Sequence, residues 1–408
     1  MTGEKQPRLF YGYIIVVAAF LVMGLTWGSF YTFGVFFDSF LTEFGWTRAA
    51  TSGAFSVAAI FVGAGSIITG RFTDRLGPRK VLMVCVASLA LGLILVSQVR
   101  ALWHLYFFYS LVGIGLSGAF VPMVSTIARW FVKNRGMMTG IAVSGLGVGT
   151  LVLPLLATWL ISAFGWRNAY IVIGVLILVV LMTAAQFLRR DPAEMGLVPY
   201  GQNDIGVMPV SLADGFTLQE AIGTRQFWML SAMYLFYCLS IGAVIAHIVL
   251  HGIGLGTSPA KAALILSFTG AASTAGRIIL GSAGDRLGYK RTLAIALGLQ
   301  SASMFWLLPS KELWMLYLFG TAFGFSYGGI AALFSPFVAE QFGLNAHGII
   351  LGVFMISSQI GEAISPIITG HIFDIMGSYL LAFLIWAILA TAALVLLLMT
   401  RRPTKKSI

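Results

Sequence analysis

Charged residues are scarce in this chain of 408 residues. Asp, Glu, Lys and Arg together make up 10% of it, whereas 59% of the residues are hydrophobic and the mean hydropathy is +0.93. Soluble globular proteins carry about 25% charged residues, which excludes a soluble domain as the main body of the chain. A bilayer core about 30 Å thick takes roughly 20 apolar residues per helix, so about a dozen crossings fit. The composition predicts a polytopic membrane protein.

Cysteine and the common nucleotide-binding motifs are nearly absent. Cys85 and Cys238 stand alone in apolar stretches with no CxxC spacing, so neither a disulfide framework nor a metal site is predicted. No GxxxxGK(S/T) sequence is present, which argues against ATP-driven transport. No polar constellation resembles a nucleophile with its base. We therefore expect neither enzyme activity nor a cofactor.

The net charge of +11 does not indicate nucleic-acid binding, because the basic residues lie between apolar runs and form no basic face. They act instead as topology signals. With the N-terminus in the cytoplasm, nineteen of the 25 lysines and arginines fall in cytoplasmic segments and five outside. The remaining one, Arg277, interrupts the apolar run "SFTGAASTAGRIIL". We predict a multi-pass protein of the inner (cell) membrane with both termini in the cytoplasm.

Apolar runs separated by polar breaks predict twelve transmembrane helices. The long polar stretch over residues 189–225 divides them into two groups of six, so we predict an N-terminal bundle over 1–188, a cytoplasmic linker and a C-terminal bundle over 226–408. Thr217 and Glu220 have capping-box spacing, which predicts a short helix in the linker. The runs cover roughly 11–37, 48–70, 81–99, 103–130, 136–160, 167–188, 226–250, 259–281, 291–309, 313–338, 347–371 and 378–400.

The two groups of six repeat each other. "GRFTDRLGPRK" from Gly70 and "GSAGDRLGYKR" from Gly281 each follow the second helix of a group and lie 211 residues apart. A parallel repeat of this kind places a substrate site near the membrane midplane, between the halves. The same offset makes Ser66 the equivalent of Arg277. The repeat itself therefore does not require an arginine at that position.

The repeated sequences carry matching charges. We predict that they form gates, as charge pairs at helix ends that hold one access state and separate in the other. The alternative is that they only anchor the topology. The predicted gating residues are Asp74, Arg75, Asp285 and Arg286.

These features resemble the major facilitator superfamily, whose loop motif GxxxDRxGRR follows the second helix and, more weakly, the eighth. "RWFVKNRGMMTGIAVSG", from Arg129, and "SPIITGHIFDIMGSY", from Ser365, are similar to signatures of the monocarboxylate transporter family, in the manner of a bacterial proton-coupled lactate transporter. The resemblance covers the whole chain. It implies an all-α fold of two pseudo-symmetric six-helix bundles, a monomer that works by alternating access, and gating roles for Lys133 and Arg135.

The sequence departs from the family pattern at two positions. Animal members carry an aspartate one turn before the arginine of the eighth helix, where this chain has Ser273, and a lysine in the first helix, where it has Tyr31. A proton relay built on those groups does not carry over. Related oxalate–formate exchangers hold a dianion with a second cation in the eleventh helix, but residues 347–371 contain no Lys or Arg. One fixed cation favours a monoanion.

Arg277 is predicted to bind a carboxylate. A guanidinium at membrane depth costs at least about 2.5 to 3.5 kcal/mol, so it normally faces a wet cavity or a partner. Its planar fork matches a carboxylate through two parallel hydrogen bonds. The alternative is that it snorkels to the membrane surface or pairs with a neighbouring carboxylate.

Helical spacing predicts which other side chains share the cavity. Polar and aromatic residues recur at three- and four-residue steps in four helices that line the cavity in the resembled superfamily. For any one of them, an interhelical contact is the alternative interpretation. The candidate substrate ligands beside Arg277 are Tyr327, His247, Tyr31, Ser117 and Tyr237.

Two side chains are candidates for carrying a proton. His247 carries an imidazole, a group that can take up a proton near neutral pH, and Glu362 is the one acid that lies in the middle of a predicted helix. Each has a purely structural alternative, and a third possibility is that the substrate itself carries the proton beside Arg277.

We hypothesise a secondary transporter that moves a short-chain monocarboxylate of the lactate or pyruvate class with a proton. Its expected partners are that anion, a proton and the lipid bilayer, and not nucleic acid. The alternatives are a small organic anion exchanger of the formate or oxalate type, an exporter of amphipathic compounds, and a carboxylate receptor that does not transport.

Overall fold

The computed structural model describes residues 10–202 and 215–403, and these fold almost entirely into α-helices. A 3-10 turn over Pro192–Met195 is the main irregular element between them. The fourteen α-helices are α1 Gly12–Tyr31, α2 Phe33–Phe44, α3 Arg48–Leu76, α4 Pro78–Val96, α5 Leu102–Ser117, α6 Phe120–Trp130, α7 Arg135–Phe187, α8 Leu218–Ile222, α9 Arg225–Gly254, α10 Pro259–Leu287, α11 Tyr289–Leu307, α12 Leu313–Phe342, α13 His347–Met376 and α14 Leu380–Met399.

These helices form the predicted twelve spans. In the described part of the chain, ten helical segments are long and apolar enough to cross a membrane. The longest of them, α7, has 53 residues and is interrupted at Gly165, whose φ of +79° lets the chain reverse between two spans. The 19-residue helix α11 adds the last span. The predicted all-α, polytopic fold class is confirmed.

The two halves use the same helix pairings. In the first half α1 packs on α7, α3 on α5 and α4 on α5; in the second, α9 packs on α13, α10 on α12 and α11 on α12. Two further pairs, α3 with α13 and α7 with α10, join the halves to each other. The internal repeat predicted from the sequence is therefore also a repeat in space.

The repeated motifs lie in the last helical turns of α3 and α10 rather than in loops. Both helices continue past the predicted apolar runs and end at glycines in a positive-φ conformation, Gly77 at +84° and Gly288 at +90°. Charged residues are tolerated in these final turns because they extend beyond the apolar core of the bilayer. We call this end of the molecule the motif end.

The described parts of the linker attach to both halves. Tyr200 donates its backbone N–H to the carbonyl of Trp130 at 2.9 Å, and Phe216 donates to the carbonyl of Phe342 at 2.8 Å. Thr217 and Glu220 form the predicted capping box at the start of α8, so that prediction is confirmed. Residues 203–214 of the predicted linker lie outside the described residues.

At the end opposite the motif end, an ion pair ties α2 to α7. Both carboxylate oxygens of Glu43 lie 2.6 Å from Nη1 of Arg167, and Trp166 Nε1 donates to Oε2 at 2.7 Å. The hydrogen bond from Arg167 is the main reason why the pKa of Glu43 lies below its ordinary value. Both side chains are partly exposed, so the pair contributes less than about 1 kcal/mol.

We expect Glu43→Gln to lower thermal stability slightly at neutral pH and not at all in acid. A carboxyl whose pKa is depressed by folding stabilises the protein above its unfolded pKa, and that contribution is lost as the pH falls through the folded pKa. The melting temperature of detergent-solubilised wild type and Glu43→Gln should therefore converge below the pKa of Glu43. A constant difference across that pH range would show that the charge of Glu43 is irrelevant.

Candidate functional site

The halves touch at the motif end through two pairs of glycines. A Cβ atom on Gly70 would lie 2.3 Å from the carbonyl oxygen of Gly348, and one on Gly136 would lie 2.3 Å from that of Gly281. These backbone approaches leave no room for a side chain. The pairs occupy equivalent positions in the repeat, so the same contact closes the motif end on both sides of the pseudo-symmetry axis.

The motif aspartates cap helices of the opposite half. Asp74 on α3 accepts backbone hydrogen bonds from Gly348 at 3.2 Å and Ile349 at 3.1 Å, at the N-terminus of α13. On α10, Asp285 accepts from Gly136 at 2.7 Å and Met137 at 2.8 Å, at the N-terminus of α7. A carboxylate is stabilised there by unpaired N–H groups and by the helix dipole. We call these two contacts the Asp74 latch and the Asp285 latch.

The latches are not the charge pairs predicted from the sequence. Arg75 and Arg286 are exposed, and neither forms an ion pair in the part of the chain that the structure describes. Asp74 instead pairs with Arg129 of α6, whose Nη2 lies 3.0 Å from Oδ1 and whose side chain is 4% exposed. An arginine one residue from the aspartate in a helix points elsewhere, whereas Arg129 approaches from a neighbouring helix.

The other two predicted gating residues lie beside the Asp285 latch in sequence. Arg135 begins α7 and donates from Nε to the carbonyl of Phe131 at 2.7 Å. Lys133 donates its backbone N–H to Tyr200 at 3.0 Å. Both residues therefore form hydrogen bonds beside the start of α7. A gating role for their side chains stays a prediction.

A cavity of about 80 Å³ lies between the halves. It is reached by helices of both bundles, and its lining combines aromatic and apolar side chains with a few polar groups. The lining residues are Trp27, Tyr31, Val62, Ser66, Leu116, Phe120, Val143, Leu146, Tyr234, Tyr237, Cys238, Ile241, Arg277, Tyr327, Ala331, Met355, Ser358, Gln359 and Glu362. Such a lining is typical of a small-ligand site.

Arg277 enters this cavity from α10 with unsatisfied donors. The residue is 2% exposed, and its Nε and Nη1 atoms are buried without a hydrogen-bond partner among the described residues. Within the same residues it has no carboxylate at ion-pair distance, and its Cζ lies 5.7 Å from the ring centroid of Tyr327. The side chain therefore does not snorkel to a membrane surface. Buried donors without partners are costly, so this arrangement is suited to an anionic ligand.

Glu362 reaches the same cavity from α13. Ser358, one helical turn earlier, donates to its Oε1 at 3.1 Å, and Cys238 of α9 contacts Ser358 Oγ at 3.4 Å. The glutamate is exposed within the cavity, although neighbouring helices surround it. Its second carboxylate oxygen is available to a ligand or a proton.

Three of the predicted tyrosines line the cavity, and they differ in exposure and in hydrogen bonding. Tyr31 is 43% exposed, and its ring lies tilted against that of Trp27, with ring centroids 6.2 Å apart. Tyr237 is buried, and its hydroxyl donates to the backbone carbonyl of Tyr327 at 3.0 Å. The Tyr31 hydroxyl is therefore the better placed of these two to meet a ligand, while Tyr237 fixes the position of Tyr327.

The structure does not bring His247 or Ser117 to the cavity. The Nε2 atom of His247 lies 2.9 Å from the carbonyl of Pro366, and Nδ1 lies 3.4 Å from the Tyr379 hydroxyl. Ser117 is buried and donates to the carbonyl of Ile114 at 2.7 Å within α5. Each of these side chains makes a structural hydrogen bond, and a role for either of them in the substrate site stays a prediction.

The predicted site did not include Ser358, Gln359 or Cys238. Ser358 is placed one turn from Glu362, so the i, i+4 spacing was the signal that could have found it. Cys238 follows Tyr237 directly in the sequence. Its side chain faces α13, and the residues beside it in the sequence do not indicate this contact. Ser358 contacts the carboxyl group of Glu362 directly, and Cys238 contacts Ser358.

A glycine on α7 makes room for the guanidinium. A Cβ on Gly147 would lie 3.1 Å from Nη1 of Arg277 and 2.6 Å from Oγ1 of Thr274. We expect Gly147→Ala to displace the guanidinium and to raise the KM for substrate uptake about tenfold, as overpacking typically costs about 1–3 kcal/mol. Gly270→Ala, on α10 itself with no atom within 4 Å of the added Cβ, is the matched control. Equal KM values for both variants would contradict the prediction.

Comparisons with known proteins agree with this architecture. The Major Facilitator Superfamily model matches residues 19–254 and 248–408. Monocarboxylate transporter 13 of Rattus norvegicus is 26% identical over 390 residues, covering 93% of this chain and 87% of the relative. Monocarboxylate transporter 12 of Homo sapiens is 26% identical over 411 residues, covering 94% and 79%. The proton:xylose symporter XylE, solved with 6-bromo-6-deoxy-D-glucose, shares the fold with a TM-score of 0.75 at 14% identity over 94% of each chain.

The matches name transporters, and the monocarboxylate transporters among them carry the family name that the α7 signature resembles. The chain is accordingly a multi-pass membrane transporter and not an enzyme. The chain has twelve spans, two halves with the same helix pairings and a repeated DRLG motif, and the family model extends over both halves. This chain therefore belongs to the major facilitator superfamily.

Proposed function

We propose that the protein is a secondary active transporter that carries a small monocarboxylate together with a proton by alternating access. The observation that carries this proposal is Arg277, a buried guanidinium in a central cavity with two N–H donors that no described residue accepts. Its fork matches a carboxylate, and the site lies between the two halves, where a rocking motion alternates its access.

The charge of the site favours a monoanion. Arg277 is the one Lys or Arg among the described residues that line the cavity. A dianion would leave an uncompensated negative charge in a region of low dielectric, which is expensive. The names of the monocarboxylate transporter relatives support the same substrate class, and we extend it to lactate and pyruvate as the first compounds to test.

Proton coupling is assigned to Glu362. Of the two candidate groups, Glu362 lines the cavity with Arg277. The ring nitrogens of His247 lie instead near the carbonyl of Pro366 in α13 and the hydroxyl of Tyr379 just before α14. An anion beside Arg277 brings the cavity to net neutrality only when Glu362 is protonated. Binding of the anion therefore favours uptake of a proton at the same site.

The orientation follows from the basic residues. Most Lys and Arg residues lie in segments on the side of the motif end, so we place that end and both termini in the cytoplasm of a cell (inner) membrane. With the Asp74 and Asp285 latches formed, the cavity is shut toward the cytoplasm. The transporter is proposed to act as a monomer, since each chain holds both halves of its own site.

The test is uptake of radiolabelled lactate into proteoliposomes with an inward proton gradient. We expect uptake that depends on the gradient and acidifies the lumen. Uptake that requires lactate or another anion inside the vesicle would replace this proposal with an anion exchanger. Binding of lactate without any flux would favour a receptor, and flux of amphipathic compounds alone would favour an exporter.

A further inference from the structure

The central cavity holds two opposite charges that do not neutralise each other. Arg277 and Glu362 both line it, yet among the described residues they form no ion pair within 4.0 Å. The guanidinium keeps two donors without acceptors, and the carboxyl group has one oxygen bonded to Ser358 and one oxygen open to the cavity. The two groups share one cavity without pairing, so a ligand that carries both charges offers a partner to each of them.

Charge balance permits two kinds of occupant. A monocarboxylate neutralises Arg277 and requires a proton on Glu362, as proposed above. A small zwitterion neutralises both groups at once, because its carboxylate meets Arg277 and its ammonium meets the ionised Glu362. Each occupant leaves the low-dielectric cavity without net charge, which is the condition that buried ionic sites must meet.

We infer that the site also binds small aliphatic amino acids as zwitterions, with the substrate ammonium group taking the place of the proton on Glu362. The inference rests on the proposed carboxylate role of Arg277. It has a consequence for coupling: a monocarboxylate enters with a proton, whereas an amino acid enters without one. One cavity then serves a proton-coupled and an uncoupled substrate.

The rest of the lining leaves Glu362 as the contact for an ammonium group. Tyr234 and Tyr237 line the cavity too, but their rings stack on each other with centroids 5.5 Å apart, and Tyr234 also stacks on Phe334 at 4.0 Å, so these ring faces are covered. No further acid lines the cavity among the described residues, so Glu362 is the group that an ammonium must meet. The titratable side chains that share the cavity with it are Arg277, Cys238, Tyr31, Tyr234, Tyr237 and Tyr327.

L-Lactate and L-alanine form a matched pair of probes, since they differ only in a hydroxyl or an ammonium on the same carbon. We expect purified wild-type protein to bind radiolabelled L-alanine, or its isomer β-alanine in which the two charges lie farther apart, directly. Glu362→Gln should weaken this binding about 10- to 100-fold, the usual contribution of a hydrogen bond to a charged group. The same variant should lose the pH dependence of lactate binding, because glutamine mimics the protonated carboxyl at any pH.

Two variants keep the test decisive. Glu362→Asp retains the charge and should retain amino-acid binding, which distinguishes a lost contact from a misfolded protein. Arg277→Ala should lose both ligands. In proteoliposomes, amino-acid uptake should leave the luminal pH unchanged, whereas lactate uptake acidifies it.

The inference is overturned if neither amino acid binds to wild type, or if Glu362→Gln binds them as well as wild type does. It is also overturned if amino-acid uptake carries protons as lactate uptake does. Failure of lactate uptake alone would refute the proposed monocarboxylate symport and leave the amino-acid result standing, so the two failures are distinguishable.

Discussion

Arg277→Lys is expected to reduce proton-driven lactate uptake at least 100-fold, on the order of 3 kcal/mol, although the charge is kept. The guanidinium offers two parallel donors to a carboxylate, while an ammonium is a point charge on a flexible stem. Arg277 is also 2% exposed, with Gly147 fitted against its Nη1 atom. A lysine would leave part of that volume empty and place its charge elsewhere.

Arg277→Ala should be inactive as well, for an electrostatic reason. Without the guanidinium, an ionised Glu362 would repel the anion, and a protonated Glu362 would offer one hydrogen bond in place of a charge. The measurement is initial uptake rate over a range of lactate concentrations. Arg291→Lys, at an exposed position near the start of α11, is the control for a change of side chain without loss of a site. Normal uptake by Arg277→Ala would exclude Arg277 from the substrate site.

The sequence best predicts residues whose chemistry is unusual for the segment in which they lie. A charge inside an apolar run has few explanations, which is why Arg277 and Glu362 stand out in the amino-acid sequence, and both line the cavity. The DRLG repeat likewise identifies Asp74 and Asp285, because the same charged pattern recurs at the same helix in each half.

The features that the sequence does not predict depend on packing between helices. His247 shares a helical face with Tyr237, but its imidazole bonds to the carbonyl of Pro366. Periodicity identifies the face of α9 and not the depth at which that face meets α13. The partners of Asp74 are hidden for the same reason, since Arg129 and Gly348 are distant in sequence.

The repeat also explains how an arginine is accommodated at one position of a symmetric scaffold. A Cβ on Gly140 would lie 2.0 Å from the carbonyl oxygen of Arg277, and one on Gly352 would lie 2.5 Å from that of Ser66. The equivalent glycines thus contact the backbone of their neighbour and place no demand on its side chain. The interface between the halves is fixed by main-chain contact, while the residue that faces the cavity is free to be serine in one half and arginine in the other.

The two latches should differ in strength, although they are equivalent in the repeat. Asp285→Asn removes a charge from the N-terminus of α7 and is expected to weaken closure by about 1–2 kcal/mol. Asp74→Asn removes the same kind of contact from α13 and also leaves the buried Arg129 without its carboxylate at 3.0 Å, the more distant Asp191 at 3.6 Å remaining. Arg129 crosses to the second half by donating to the carbonyl of Leu344 at 2.8 Å, so losing the carboxylate that positions it weakens this closing contact as well, and Asp74→Asn should shift the access equilibrium more, about 100-fold.

The shift can be read from a single cysteine at Gln359, which lines the cavity, in a chain whose native Cys85 and Cys238 are replaced by serine. An impermeant thiol reagent applied at the motif end should label this cysteine faster in Asp285→Asn and much faster in Asp74→Asn. Arg71→Gln, an exposed change one turn before Asp74, should leave labelling unchanged. Equal labelling of the two latch variants would mean that Arg129 does not hold the closed state. Labelling at the wild-type rate in both would mean that the glycine contacts close the motif end without help from either carboxylate.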